Sequence, residues 1–146
     1  MTSFDTNVLL FAFSRASPCH DRARVFLEDL TRRDDVAVSE LVLVEFYALL
    51  RNPAVLLRPL QAAAAVEVVQ RYRRHPRWML VGFDPESTAL HDELWRLAAT
   101  ARFARRRIHD ARLALSLRRQ GVTEFATANV KDFGGFGFDR VWSPVE

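Results

Sequence analysis

Short apolar runs alternate with longer stretches of helical character along this chain, and that alternation limits its architecture more than any other feature. Ser3–Asp5, Val36–Ser39, Trp78–Val81 and Val122–Thr127 read as strands, Val36–Ser39 as a buried one, with Val141-Trp142 as a short closing strand. Between them lie an apolar helical turn over Val8–Phe13 and predicted helices over Cys19–Leu30, Glu40–Leu50, Leu60–Arg74, about Glu86–Ala101 and Asp110–Arg119. Strands separated by helices do not pair as hairpins. They require right-handed crossovers, which build a mainly parallel sheet flanked by helices, an α/β fold.

The punctuation agrees with this reading. Pro18, Asn52-Pro53 and Asp84-Pro85 mark breaks, and Gly121 is placed to end a helix in the left-handed region. The run Gly134-Gly135-Phe136-Gly137-Phe138 is too rich in glycine for a regular element, and it lacks the Lys-Ser/Thr pair of a phosphate loop. Its phenylalanines are expected to close an edge of the core. No repeat or linker divides the chain, so residues 1–146 are expected to form one domain. With 49% hydrophobic and 27% charged residues, general disorder and fibrous folds are excluded.

No basic leader precedes a cleavage signal, and no apolar run approaches membrane-spanning length, so a cytoplasmic location is expected. The single cysteine, Cys19, cannot form an internal disulfide, which also suits a reducing compartment. The net charge is only +3, but its placement is uneven. From Arg102 to Arg119 there are seven arginines and one acid, Asp110, an arrangement suited either to a polyanion beside a carboxylate or to a solvated helix face.

Several acids sit where a core is expected. Asp5 is surrounded by Phe4, Val8, Leu9 and Leu10, at the C-terminal end of the first strand. Such a carboxylate needs either the N–H groups of the following helix or a bound cation. Glu45, within Leu41–Leu50, is expected to share the apolar face of its helix, either for function or in a buried ion pair with an arginine. Asp110 is expected to begin a helix with its carboxylate inward, an ordinary N-cap being the competing reading. Asp132 follows the Thr127 loop and is placed to turn back over the sheet edge. Sites in parallel sheets lie beyond the C-terminal strand ends, where Asp5 and the Thr127 loop both fall. Together these side chains form the oxygen-rich set that magnesium or manganese prefers.

Four segments carry a family resemblance: Phe4-Asp5-Thr6-Asn7, Ser39–Glu45, Ile108-His109-Asp110-Ala111-Arg112-Leu113-Ala114 and Thr127-Ala128-Asn129-Val130-Lys131-Asp132-Phe133. In order and spacing the chain resembles a PIN domain over essentially its whole length, most closely the VapC-type toxin ribonucleases of bacterial toxin–antitoxin pairs. The resemblance implies an endoribonuclease dependent on Mg2+ or Mn2+. It places Asp5, Glu45 and Asp110 as the three principal acids of the cleft. Many relatives have Asp where this chain has Asn129, and others use the acid of the later Asp-Phe pair, here Asp132, so both are candidate ligands.

Thr6, Asn7 and Thr127 are expected to support the site by holding phosphate, water or the Asp5 carboxylate, or else to form the strand-to-helix turn. Arg105, Arg106, Arg107 and Arg112 are candidates to position RNA, and His109 is expected to stay peripheral to the chemistry. The resemblance further implies a cognate antitoxin that covers the cleft, and a homodimer. Two other readings stand beside it. One is a noncatalytic RNA-binding regulatory domain. The other is a metal-dependent phosphatase, disfavoured because Asn7 stands where a second aspartate would be needed.

Overall fold

Every strand pairing in the computed structural model, which describes residues 1–146, is parallel. The strands are Thr2–Phe4 (β1), Ala37–Ser39 (β2), Met79–Val81 (β3), Glu124–Ala126 (β4) and Arg140–Trp142 (β5). β1, β4 and β5 form one ladder and β2 and β3 another. A bridge between Thr2 and Val36 joins them, the Thr2 N–H donating to the Asp35 carbonyl at 2.9 Å. The order across the molecule is therefore β3-β2-β1-β4-β5, and the expected α/β architecture is present.

The helices are Thr6–Phe13 (α1), His20–Leu30 (α2), Glu40–Leu50 (α3), Ala62–Arg73 (α4), Ser87–Ala98 (α5) and Arg107–Arg119 (α6), with a 3-10 turn over Val130–Phe133. Two boundaries depart from the sequence reading in ways that matter. The first strand stops at Phe4, because Asp5 leaves the ladder to cap α1, its carboxylate accepting the Thr6 N–H. α6 begins at Arg107 and so includes Asp110 in its body. Arg106 is its cap residue and provides no side-chain hydrogen bond, so composition gave no start signal there. α5 is also shorter than expected, ending at Ala98.

Gly121 has φ +93°. Its N–H reaches the Arg118 carbonyl at 3.2 Å while the Val122 N–H reaches that of Leu117 at 3.0 Å, a double closure available at low cost only to glycine. That turn sends the chain straight into β4.

Phe4, Phe46 and Phe125 are fully buried around the central strands, each contributing about 1.5–3 kcal/mol of burial. Phe138, from the glycine-rich segment, stacks on Phe125 at 5.5 Å, closing the core edge as expected. A smaller cluster of Leu90, Leu94, Ala111 and Leu115 fixes α5 against α6. No helix is long and apolar enough to cross a membrane.

Candidate active site

The strand order reverses between β1 and β4, and the chain leaves both strands at their C-terminal ends beside this switch point. Asp5 follows β1 and Thr127 follows β4. The Asp5 side chain, 7% exposed, is held on both oxygens. Oδ1 accepts the Thr6 N–H at 2.8 Å, and Oδ2 accepts the Thr127 hydroxyl at 2.7 Å and the Asn7 amide at 3.3 Å. The Asn7 amide oxygen in turn accepts the Ala128 N–H at 3.2 Å, locking the two strand ends together. Burial raises the Asp5 carboxyl to a pKa of about 6; the Thr127 and Thr6 hydrogen bonds oppose the rise, and Glu45 and Asp110 add to it.

Glu45 corrects the sequence reading. The buried stripe of α3 is Val42, Leu43, Phe46 and Leu50, and Glu45 stands outside it among the exposed positions. Because α3 is apolar almost all round, periodicity could not show which side faces the core. Glu45 forms no ion pair with an arginine either. Its Oε2 accepts the Thr6 hydroxyl at 2.9 Å, a link that sequence spacing gave no means of finding.

Asp110 lies in the first turn of α6, not at its cap. Its carboxyl is half-buried and its pKa is raised, first by burial and then by the negative charges of Asp132 and Glu45, while His109 and Arg107 pull it back. Thus four acids from the β1–α1 junction, α3, α6 and the Val130–Phe133 turn are brought together, Glu45 and Asp110 acting on Asp5, and Glu45 and Asp132 on Asp110. None of them makes a salt bridge with an arginine, lysine or histidine.

Asn129 is exposed, and only its backbone N–H joins the network, donating to the Thr127 hydroxyl at 3.0 Å. The charge that acts on Asp110 from this loop is that of Asp132.

The arginines divide sharply. Arg106 and Arg112, both exposed, share with Glu45, His109 and Asp110 a groove of about 600 Å³. Arg105 is exposed beside them. Arg107 is occupied: its Nη2 donates to the Asp132 and Gly134 carbonyls, both at 3.4 Å, and its guanidinium lies 5.2 Å from the Phe136 ring centroid. Arg118 donates to the Val122 carbonyl at 2.7 Å, and Arg119 pairs with Asp84, Glu86 and Glu93. Three of the seven arginines in the run are therefore committed to holding loops. His109 is exposed at the groove.

No three His, Cys, Asp or Glu side chains form a ready-made metal cage. A magnesium-type ion demands less than that, since it keeps several waters and binds through one or two carboxylates together with substrate phosphate. A set of hard oxygen donors without salt-bridge partners, with Asp5 and Asp110 raised in pKa, fits such an ion, and does not suit zinc or copper, which favour nitrogen and sulfur.

This fold is that of a PIN domain: the family model described as "PIN domain" matches residues 3–133, and the chain belongs to that family. Within it, the chain is similar to ribonuclease VapC24 of Mycobacterium tuberculosis, at 54% identity over 145 residues, covering 99% of this chain and 97% of the relative. The solved structure of M. tuberculosis VapC20, described as a sarcin–ricin loop cleaving toxin, superposes with a TM-score of 0.62 at 16% identity, over 86% of this chain and 87% of that one. VapBC2 from Rickettsia felis, bound to a DNA fragment from their promoter, gives 0.61 at 17% identity, over 89% of each chain. These two likenesses show the fold.

Proposed function

We propose that residues 1–146 form one catalytic domain, an endoribonuclease toxin that hydrolyses RNA phosphodiester bonds with the help of Mg2+ or Mn2+. The observation that carries this reading is the set of four carboxylates at the switch point, without salt-bridge partners, whose charges help to raise the pKa of Asp5 and Asp110. The near-full-length similarity to ribonuclease VapC24 supports it independently.

Asp5, Glu45, Asp110 and Asp132 would hold the metal, with the Asn129 amide oxygen as a neutral candidate ligand. When bound, the ion supplies a Lewis acid that polarises the phosphate and acidifies a water for in-line attack. The chain's own residues prepare that chemistry. Thr6, Asn7 and Thr127 fix Asp5 from three sides, and the Thr6 hydroxyl aims Glu45 across from α3. Arg105, Arg106 and Arg112 draw the RNA backbone toward a cleft that would otherwise repel it. Arg107 contributes from behind, holding the loop that carries Asp132.

The likeness to VapBC2 supports a cognate antitoxin as the inhibitory partner. A homodimer would cover apolar side chains left exposed, such as Val66 on α4 and Leu80 on the edge strand β3. The site of action is the cytoplasm, where RNA is encountered. End analysis of the RNA fragments tests the chemistry. Attack by an external water leaves no 2′,3′-cyclic phosphate, and a substrate lacking the 2′-hydroxyl at the scissile position is still cut. Cyclic ends would contradict the proposal.

A further inference from the structure

Phe83 is 93% exposed, the most exposed aromatic ring in the chain, yet the loop that carries it is firmly held. On one side the Gln120 amide donates to the Gly82 carbonyl at 3.1 Å. On the other, Arg119 donates to the Asp84 carboxylate at 2.7 Å, and that carboxylate also accepts the Glu86 N–H at 2.8 Å. A phenyl ring presented to water on a pinned loop forgoes hydrophobic burial without gaining freedom of motion, which points to an occupant in the functional state.

The surroundings specify the occupant. Phe83 lines a groove of about 360 Å³ together with Leu41, Val44, His91 and Arg112. Leu41, Val44 and Arg112 also line the groove of Glu45 and Asp110, so the two are continuous over α3. The acids on the walls are already neutralised, Asp84 by Arg119 and Glu40 by Arg73 at 2.9 Å, whereas Arg112 has no carboxylate partner. His91 Nδ1 is engaged by the Ser87 carbonyl at 2.8 Å, leaving Nε2 for another group. An aromatic face, an aliphatic wall, a free guanidinium and an unoccupied imidazole nitrogen match a nucleobase with its phosphate.

We infer that the groove beside Phe83 binds an unpaired nucleotide of the RNA next to the scissile phosphate, with its base stacked on Phe83, and so takes part in choosing the cleavage site. This rests on the ribonuclease reading of the acid cluster. It favours single-stranded RNA, since only an unstacked base can enter the groove.

The test has two arms. In steady-state cleavage of a short mixed-sequence single-stranded oligoribonucleotide, Phe83→Ala raises KM by about tenfold, within the range for loss of one stacked base, and changes kcat far less. Phe83→Trp keeps KM near that of the parent. In the second arm, Phe83→Trp is combined with Asp110→Asn and titrated with the same oligoribonucleotide, and the fluorescence of the introduced indole is quenched relative to Asp110→Asn alone. An unchanged KM with no quenching overturns the inference while leaving ribonuclease activity intact. If the parent protein cuts no RNA, the fluorescence arm still decides whether a base stacks there. Should Phe83→Ala change the association state in light scattering with KM unmoved, the groove is a protein contact and the inference fails.

Discussion

The Thr6 hydroxyl donates to Glu45 Oε2 at 2.9 Å, joining the first turn of α1 to α3 across 39 positions of sequence. Glu45 is otherwise exposed on an apolar helix, so this bond sets where its carboxylate points. Thr6→Val keeps the shape and removes the donor. We expect it to lower the cleavage rate about tenfold, equivalent to about 1.4 kcal/mol, with little change in thermal stability, and Thr6→Ser to restore most of the rate. Parallel rate and melting measurements on both variants distinguish positioning from folding.

The raised pKa of Asp5 has a definite sign in stability. Folded Asp5 keeps its proton to about pH 6, whereas its ordinary value is 3.8, so the folded state binds more protons between these limits. Stability conferred at low pH is therefore lost as pH rises through that window, by up to about 3 kcal/mol, and Asp110 acts in the same direction. On the proposed reading, a divalent cation bound to the ionised acids would offset this loss. Melting curves with and without Mn2+ should show a gain in Tm above pH 6 that shrinks as the pH falls below it.

Asp110→Asn separates function from stability. Removing the charge relieves repulsion with Asp132 and Glu45 and lessens the cost of burying an anion. The variant is expected to lose RNA cleavage by about a hundredfold or more while melting at or above the parent temperature in the absence of metal. Differential scanning calorimetry in chelator, set beside the cleavage rate, reads both effects.

Arg107 is expected to behave as a structural residue despite its place in a basic run. Its guanidinium bonds to the Asp132 and Gly134 carbonyls and lies over Phe136. Arg107→Ala should destabilise the fold by about 1–2 kcal/mol, with Arg107→Lys a poor substitute because an ammonium has neither the planar fork nor the stacking face. Arg106→Ala, by contrast, should leave Tm unchanged and weaken RNA binding with a reduced salt dependence. Denaturant unfolding and salt-dependent binding isotherms test the contrast.

Much of the fold was readable because short apolar runs between helical stretches are locally distinctive: Val36–Ser39, buried throughout, and Trp78–Val81, on the partly exposed edge, each match an observed strand to within one residue. The start of α6 was not readable, since Arg106 caps without a side-chain signal and Asp110 resembles a cap residue without being one. The identities of the acids were legible from their apolar settings and motif order, but their environments were not. Glu45 was expected on the core side, and only the fold shows it facing the cleft with Thr6 behind it. The arginine run was legible as charge, but which arginines are free depends on loops such as the one bearing Asp84, more than thirty residues away from Arg119.

The central claim is that these four acids recruit a divalent cation to cut RNA. It is tested most directly by following cleavage of a mixed structured-RNA pool by the purified protein in Mg2+ or Mn2+, beside chelator and the Asp5→Asn and Asp110→Asn variants. The account predicts discrete fragments only for the parent protein with metal. Equal cleavage in chelator or by either variant would contradict it, as would intact RNA in every sample from folded protein shown to bind metal.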